Sequence, residues 1–163
     1  MLQKIKGKIQ SWEQAKQSVE AWREKGLRTV FTNGCFDLLH YGHIHYLAQA
    51  RELGDKLVVG LNSDASVRRL KGAGRPINDE PSRQLMLAAL ECVDLAVTFE
   101  QDTPLELITL LLPDILVKGG DYQPGDIVGA DVVIARGGEV KALPYIEGYS
   151  TSAIEARIRE KDM

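Results

Sequence analysis

Thr29-Val30-Phe31-Thr32-Asn33-Gly34-Cys35-Phe36-Asp37-Leu38-Leu39-His40-Tyr41-Gly42-His43 is the stretch whose reading settles the fold. Thr29-Val30-Phe31 begins an apolar run that predicts a buried strand, and Asn33-Gly34-Cys35 predicts the turn that leaves it. From Gly42 to Leu53 the spacing becomes helical, marked by Ile44, Leu47, Ala48 and Arg51 and closed by Gly54. Gly34 lets the backbone turn sharply and approach a ligand closely. Gly42 does the same at the mouth of the helix, whose unpaired amides and dipole favour an anion. His40 and His43, three residues apart, can point at one phosphate and supply donors where charge develops during phosphoryl attack. Taken singly, each histidine reads as well as a loop or helix residue. The whole string, with its glycines and the strand before it, points to chemistry. His45 diverges from His43 on the helix and reads as structural or supporting.

Outward from this core the alternation repeats. Leu57–Leu61 predicts a second buried strand, Asp64–Leu70 a short helix, and 71–76 a Gly-rich loop. Arg83–Glu91 predicts a helix, Leu95–Phe99 a third strand, and Leu105–Leu112 a helix opened by Pro104. Ile115-Leu116-Val117 predicts a fourth strand, ending in Lys118-Gly119-Gly120-Asp121. Val132–Ala135 and Val140–Leu143, flanking Gly137-Gly138, predict two more strands, and Ser152–Arg159 a closing helix. Upstream, Trp12, Ala15, Val19 and Trp22 fall at helical spacing within Ser11–Lys25, so residues 1–27 predict an amphipathic helix packed on a domain of residues 28–163. Short apolar strands alternating with helices specify an α/β fold: a Rossmann-like, doubly wound parallel sheet with helices on both faces, in a single domain. Such a sheet binds ligands at the carboxyl ends of its strands, near the topological switch point. The loops at 33–43, 62–64, 118–121 and 144–152 all follow strands and should converge there.

Composition narrows the partners. At 163 residues the chain is long enough for one real core, and a net charge of −3 gives no broad basic field, so nucleic acid is not an expected partner. No apolar run approaches the length of a membrane span and no secretory segment is evident, so no membrane partner is expected. Cys35 and Cys92 stand far apart and outside any C-x-x-C spacing, which points to a reducing cytoplasm with neither disulfide framework nor zinc site.

Thr32–His43 resembles the signature of the HxGH nucleotidyltransferase superfamily, in its cytidylyltransferase-like branch. Glu147-Gly148-Tyr149-Ser150-Thr151-Ser152 looks like that branch's second signature, a hydroxyl-rich turn before a helix that holds triphosphate. The segments 62–67, 70–72, 75–78, 93–94 and 117–122 are similar to the adenylyltransferase domains of ADP-heptose synthases. Unbroken motif order over about residues 28–160 supports the likeness. The resemblance implies transfer of AMP from ATP to a sugar 1-phosphate, D-glycero-β-D-manno-heptose 1-phosphate, with Mg²⁺ carried mainly by the ATP phosphates. It implies catalytic roles for His40, His43, Lys71 and Lys118. Nucleotide contacts would come from Asn33, Gly34, Cys35, Phe36, Gly42, Asp121, Ser150 and Thr151, and substrate contacts from Asp37, Asn62 and Arg75, with no protein metal ligand.

Several of these residues also have plainer readings. Ser152-Ala153-Ile154-Glu155 fits a capping box, so the hydroxyls could simply start a helix. Asp37 serves equally as a turn residue. Cys35, with no base beside it, reads as packing. In many relatives a sugar-kinase domain precedes this one; with residues 1–27 alone upstream, the expectation is a stand-alone transferase fed by a separate kinase. Relatives also commonly form dimers, so a homo-oligomer is expected. Rival readings are a CTP-dependent enzyme acting on glycerol 3-phosphate or a phosphorylated amino alcohol, an FMN adenylyltransferase, and a non-catalytic nucleotide-binding sensor.

Overall fold

Five apolar runs become five parallel strands: β1 (Thr29–Gly34), β2 (Lys56–Asn62), β3 (Leu95–Phe99), β4 (Ile115–Gly119) and β5 (Glu139–Leu143). In this computed structural model, which describes residues 1–162, they form one sheet in the order β3-β2-β1-β4-β5. The final residue of the expected 28–163 domain, Met163, lies outside the described residues. Pairing is in register along β1 and β2, from Thr29 opposite Lys56 to Gly34 opposite Leu61. Strands with both faces covered should be apolar throughout, and Val30, Phe31, Leu57, Val58, Val59 and Leu61 are all fully enclosed. Each such side chain contributes about 1.5–3 kcal/mol by leaving water.

Helices lie on both faces. One core layer joins Phe31, Val58 and Leu116 to Ala15 and Val19 of α2 (Trp12–Glu24), Leu107 and Ile108 of α6 (Leu105–Leu111), and Ala130 and Val133 of α7 (Ala130–Ala135). The other joins Val30, Val59 and Val117 to Tyr46, Leu47 and Ala50 of α3 (Tyr41–Glu52) and Leu87 of α5 (Glu80–Ala89). Side-chain caps define the helix starts: Ser11 and Gln14 form a capping box on α2, Ser63 caps α4 (Asp64–Lys71), and Asp79 caps α5. The short helix α1 (Leu2–Lys6) leads into Lys8–Gln10, which pair beside β3. Ile9 bridges Ala96, Gln10 N–H donates to the Ala96 carbonyl at 3.2 Å, and Ala96 N–H donates to the Lys8 carbonyl at 2.9 Å.

Two predicted elements change. Val132–Ala135 is not a strand but the body of α7, with Ala130 and Val133 buried three residues apart and Ile134 exposed. β4 and β5 are parallel neighbours, so the chain must cross over between them, and a helix is the usual crossover. That tertiary demand overrides the strand preference of the Val-Val-Ile run. The last helix, α8 (Thr151–Lys161), starts before Ser152: its cap is Ser150, whose Oγ accepts from Ala153 N–H at 3.0 Å.

Candidate active site

Strand order reverses between β1 and β4, and a cleft of about 760 Å³ opens at the carboxyl ends of those strands. Asn33 and Gly34 from β1, Asn62 from β2, and Lys118 and Gly119 from β4 form its floor. The β1–α3 turn, the end of α4 and the β5–α8 turn form its walls.

The β1–α3 turn is built of rings seated on glycines. Phe36 adopts φ 47°, in the left-handed region where side chains crowd the backbone, and its ring lies over Gly34. A Cβ on Gly34 would come within 2.8 Å of that ring. A Cβ on Gly42 would press the His40 ring at 3.1 Å and the Tyr149 Cβ at 3.2 Å. The missing side chains make room for neighbouring rings, and both glycines also line the cleft. His40 stacks on His43 with centroids 3.8 Å apart and planes 24° apart, and Phe36 meets His43 at 5.2 Å and 60°.

Both histidines line the cleft at the start of α3, and the Nδ1 atom of each is enclosed without a hydrogen-bond partner. Such atoms cost free energy while unsatisfied, and His40 Nδ1 is turned to the Gly42 backbone. Burial, followed by the adjacent His40, pushes His43 down to about 4 against a hydrogen bond to the Leu38 carbonyl, and burial alone lowers His40. Two stacked imidazoles resist carrying two protons, so the free pair is uncharged at pH 7.

Lys71 at the end of α4 and Lys118 at the end of β4 bring cations to the same cleft. Burial lowers the Lys118 ammonium from its ordinary value, and its Nζ lies 5.8 Å from the Tyr122 ring. Burial raises the Cys35 thiol, which matches the packing reading and not a nucleophile. Tyr145 packs across Gly119 and Gly120, and Tyr41 meets Tyr149 at 4.9 Å. With Tyr46, whose hydroxyl bonds Thr32 at 2.5 Å, and Tyr122, four of the chain's five tyrosines line this cleft.

The remaining residues named from the sequence divide. Asp37 lines the cleft, but its carboxylate accepts from Ile77 N–H (2.8 and 2.9 Å), Asn78 N–H (2.8 Å) and Arg75 Nη1 (3.2 Å). Burial alone would raise it; these donors outweigh that and hold it below the usual carboxylate range. Asp37 therefore latches the 75–78 loop to the β1–α3 turn. Arg75 reaches on to Glu155 Oε2 of α8 at 2.6 Å. Asn62 is buried, with its amide on Ser66 Oγ at 3.0 Å. Ser150 and Thr151 line the cleft at the start of α8, and Ser150 caps that helix with a lone pair, leaving its O–H free to donate. Asp121 is exposed and lies outside the cleft lining, so the structure does not bring it to the site. His45 is outside it as well and tilts against Tyr41 at 6.0 Å.

Sequence reasoning missed Arg83. It is wholly buried, donating to the carbonyls of Cys35 (2.9 Å), Asn62 (2.7 Å) and Asn78 (3.0 Å) and to Asp64 Oδ1 (2.7 Å). One guanidinium thus ties the exits of β1 and β2 to the 75–78 loop and to α4. Nothing in a helix's charge pattern separates such an arginine from a surface one.

Comparison with known proteins agrees with this geometry. A family model described as cytidylyltransferase-like matches residues 31–157. The bifunctional protein HldE of Trichlorobacter lovleyi is 55% identical over 94% of the chain, and that of Pectobacterium carotovorum subsp. carotovorum 57% identical over 90%. The chain spans only 31% and 30% of their lengths. Among solved structures, a lipopolysaccharide core biosynthesis protein from Thermoplasma volcanium superposes with a TM-score of 0.60 at 32% identity, covering 77% of this chain and all of the other. A pantoate-beta-alanine ligase from Francisella tularensis shares the fold at a TM-score of 0.57 and 14% identity, covering 95% of this chain and 78% of the other.

Proposed function

Because the chain belongs to the cytidylyltransferase-like family of nucleotidyltransferases, we propose that it transfers AMP from ATP to a sugar 1-phosphate, D-glycero-β-D-manno-heptose 1-phosphate, releasing pyrophosphate. The observation that carries this reading is the stacked His40–His43 pair. It stands at a helix start in the switch-point cleft, with two enclosed nitrogens facing no protein partner.

An oxygen of the sugar phosphate attacks the α-phosphorus of ATP in line. The new P–O bond forms as the bond to pyrophosphate breaks, and the electron pair leaves with pyrophosphate. Such a transfer needs positioning and charge stabilisation more than covalent help. His40 and His43 hold the α-phosphoryl oxygens and take up charge as it builds. Lys71 and Lys118 neutralise the flanking phosphates. The free hydroxyl of Ser150, with Thr151 and the α8 amides, receives the β- and γ-phosphates. Asn33, Gly34 and Cys35 lie under the nucleotide, while Asn62 and Arg75 face the acceptor. Among the described residues no three His, Cys, Asp or Glu side chains gather as a metal cage. Mg²⁺ carried mainly by the ATP phosphates would supply charge neutralisation there. In this reading the work is done in the cytoplasm and the chain acts as a homo-oligomer. Among the described residues no helix is long and apolar enough to cross a membrane.

The test is pyrophosphate release across pairings of nucleotide and acceptor. ATP with heptose 1-phosphate should turn over and form ADP-heptose, with CTP poor. Equal or faster turnover of CTP with glycerol 3-phosphate overturns the reading. The purified chain given heptose 7-phosphate and ATP should make no bisphosphate.

A further inference from the structure

Phe36 combines two features that are each uncommon. Its backbone sits at φ 47°, which a bulky residue adopts only when its surroundings hold it there, and the residue is buried at the cleft, 6% exposed. The ring lies on Gly34 and against His43. On another side His43 stacks on His40, whose ring in turn lies on Gly42. The two glycines of the motif are thus seats for the two rings that contact the imidazole. We propose that Phe36 is a positioning residue for the phosphoryl-transfer step: the Gly34–Phe36 seat and the Gly42–His40 seat grip the His43 ring from two directions and fix its nitrogens on the transferred group.

Chemistry supports an apolar grip. A histidine that must donate to charge appearing only in the transition state gains from being immobile and poorly hydrated beforehand. A hydrogen bond from a polar neighbour would fix the ring as well, but it would occupy a nitrogen and bias its charge. Phenylalanine supplies contact without either effect. The left-handed backbone is what turns the side chain back from Cys35 toward His43, so the strain has an evident purpose. His40 lies against the plane of the imidazole, and the other charged and titratable groups lining the cleft are Lys71, Lys118, Asp37, Arg75, Cys35, Asp102, Asp126, Tyr46, Tyr122, Tyr145 and Tyr149. None of them changes when Phe36 is replaced, so a titration shift reports the grip.

The proposal rests on the nucleotidyl-transfer reading, and the experiment separates the two. Phe36→Ala, Phe36→Leu and Gly34→Ala are compared with the unaltered chain by histidine NMR titration, steady-state kinetics and thermal melts; His40→Asn and His45→Asn assign the three histidines. In Phe36→Ala the His43 midpoint should move up from about 4 toward its ordinary 6.5 as the ring gains water. Its kcat should fall about ten- to a hundred-fold with the ATP KM held within about three-fold, the pattern of lost orientation. Phe36→Leu keeps apolar bulk and should recover most of both. Gly34→Ala, whose new methyl displaces the Phe36 ring, should reproduce Phe36→Ala although residue 34 does not touch His43. Should Phe36→Ala fail to fold, Phe36→Leu and Gly34→Ala still decide. An unmoved His43 titration in folded variants overturns the proposal. So does a rise in ATP KM at constant kcat, which makes Phe36 a nucleotide contact. An unaltered chain without transferase activity refutes the functional reading alone, because the NMR shift is read without turnover.

Discussion

The two walls of the cleft carry the two most recognisable motifs of the chain, yet they are built in opposite ways. The β1–α3 turn is wedged into the core: Phe36 and Tyr46 are buried, Asp37 is fully hydrogen-bonded, and Arg83 clamps the Cys35 carbonyl from beneath. The β5–α8 turn is laid on the surface. None of α8's residues is buried, Ile158 is 56% exposed, and the wall is tied down by the Ser150 cap, the Arg75–Glu155 pair and the Tyr41–Tyr149 contact. The first wall can hold catalytic groups still before substrate arrives. The second is loosely held, as befits a wall that lets triphosphate in and pyrophosphate out.

Four experiments break or sharpen this contrast. The strongest removes the clamp under the rigid wall. Arg83→Leu leaves the carbonyls of Cys35, Asn62 and Asn78 and the Asp64 carboxylate without their donor, and should cost about 3–5 kcal/mol of stability in a denaturant melt. A loss below about 1 kcal/mol would mean the wall does not depend on its clamp. Next, His43→Ala should lower kcat by about 10²–10³ with the melting temperature almost kept. Near-normal turnover would take His43 out of the chemistry.

The loose wall should respond differently. Ser150→Ala removes the α8 cap at a cost of about 1 kcal/mol confined to that helix, so its amides should exchange faster while α3 stays protected. ATP KM should rise more than kcat falls, and uniform loss of protection across both helices would erase the distinction. The smallest effect is pH-dependent. His43 is held below its ordinary value, so the unfolded chain binds the extra proton and stability falls as pH drops from 6.5 toward 4. Asp37, also lowered, adds its loss only below its ordinary 3.8. His43→Asn should flatten the melting-temperature slope in the upper window and leave the lower one intact.

Much of this fold could be read directly from the residues, because buried parallel strands are short apolar runs and glycine and proline punctuate them. β1 to β4 and the helices between them lie where hydrophobic spacing put them. Val132–Ala135 misled because the six residues of α7 are too few to show a helical period, and β-branched side chains favour a strand until a crossover is required. Ser152 looked like the cap because a glutamate follows three residues on, whereas Glu155 is engaged by Arg75, eighty positions away. The motif histidines and both lysines were legible and do line one cleft. Asp121 stands exposed outside the cleft lining, a direction that sequence does not give a loop residue. Arg83 and the ring seats on Gly34 and Gly42 were invisible for a common reason: each is defined by what it touches across the fold, and composition records no partners.

The Ile9–Ala96 bridge has a consequence for how molecules of this kind meet. β3 spends its outward hydrogen bonds on residues 8–10, while β5 has β4 as its one strand neighbour. The sheet is therefore finished on one side and open on the other. A foreign strand could add beyond β5 but not beyond β3 unless residues 8–10 first peel away. Glu139 and Lys141 alternate along the open rim, paired with each other at 3.5 Å, and charge at such a rim discourages uninvited growth. Trimming the first ten residues would uncover Ala96 of β3, an apolar rim without the charges that guard β5, and leave the sheet sticky at that one end.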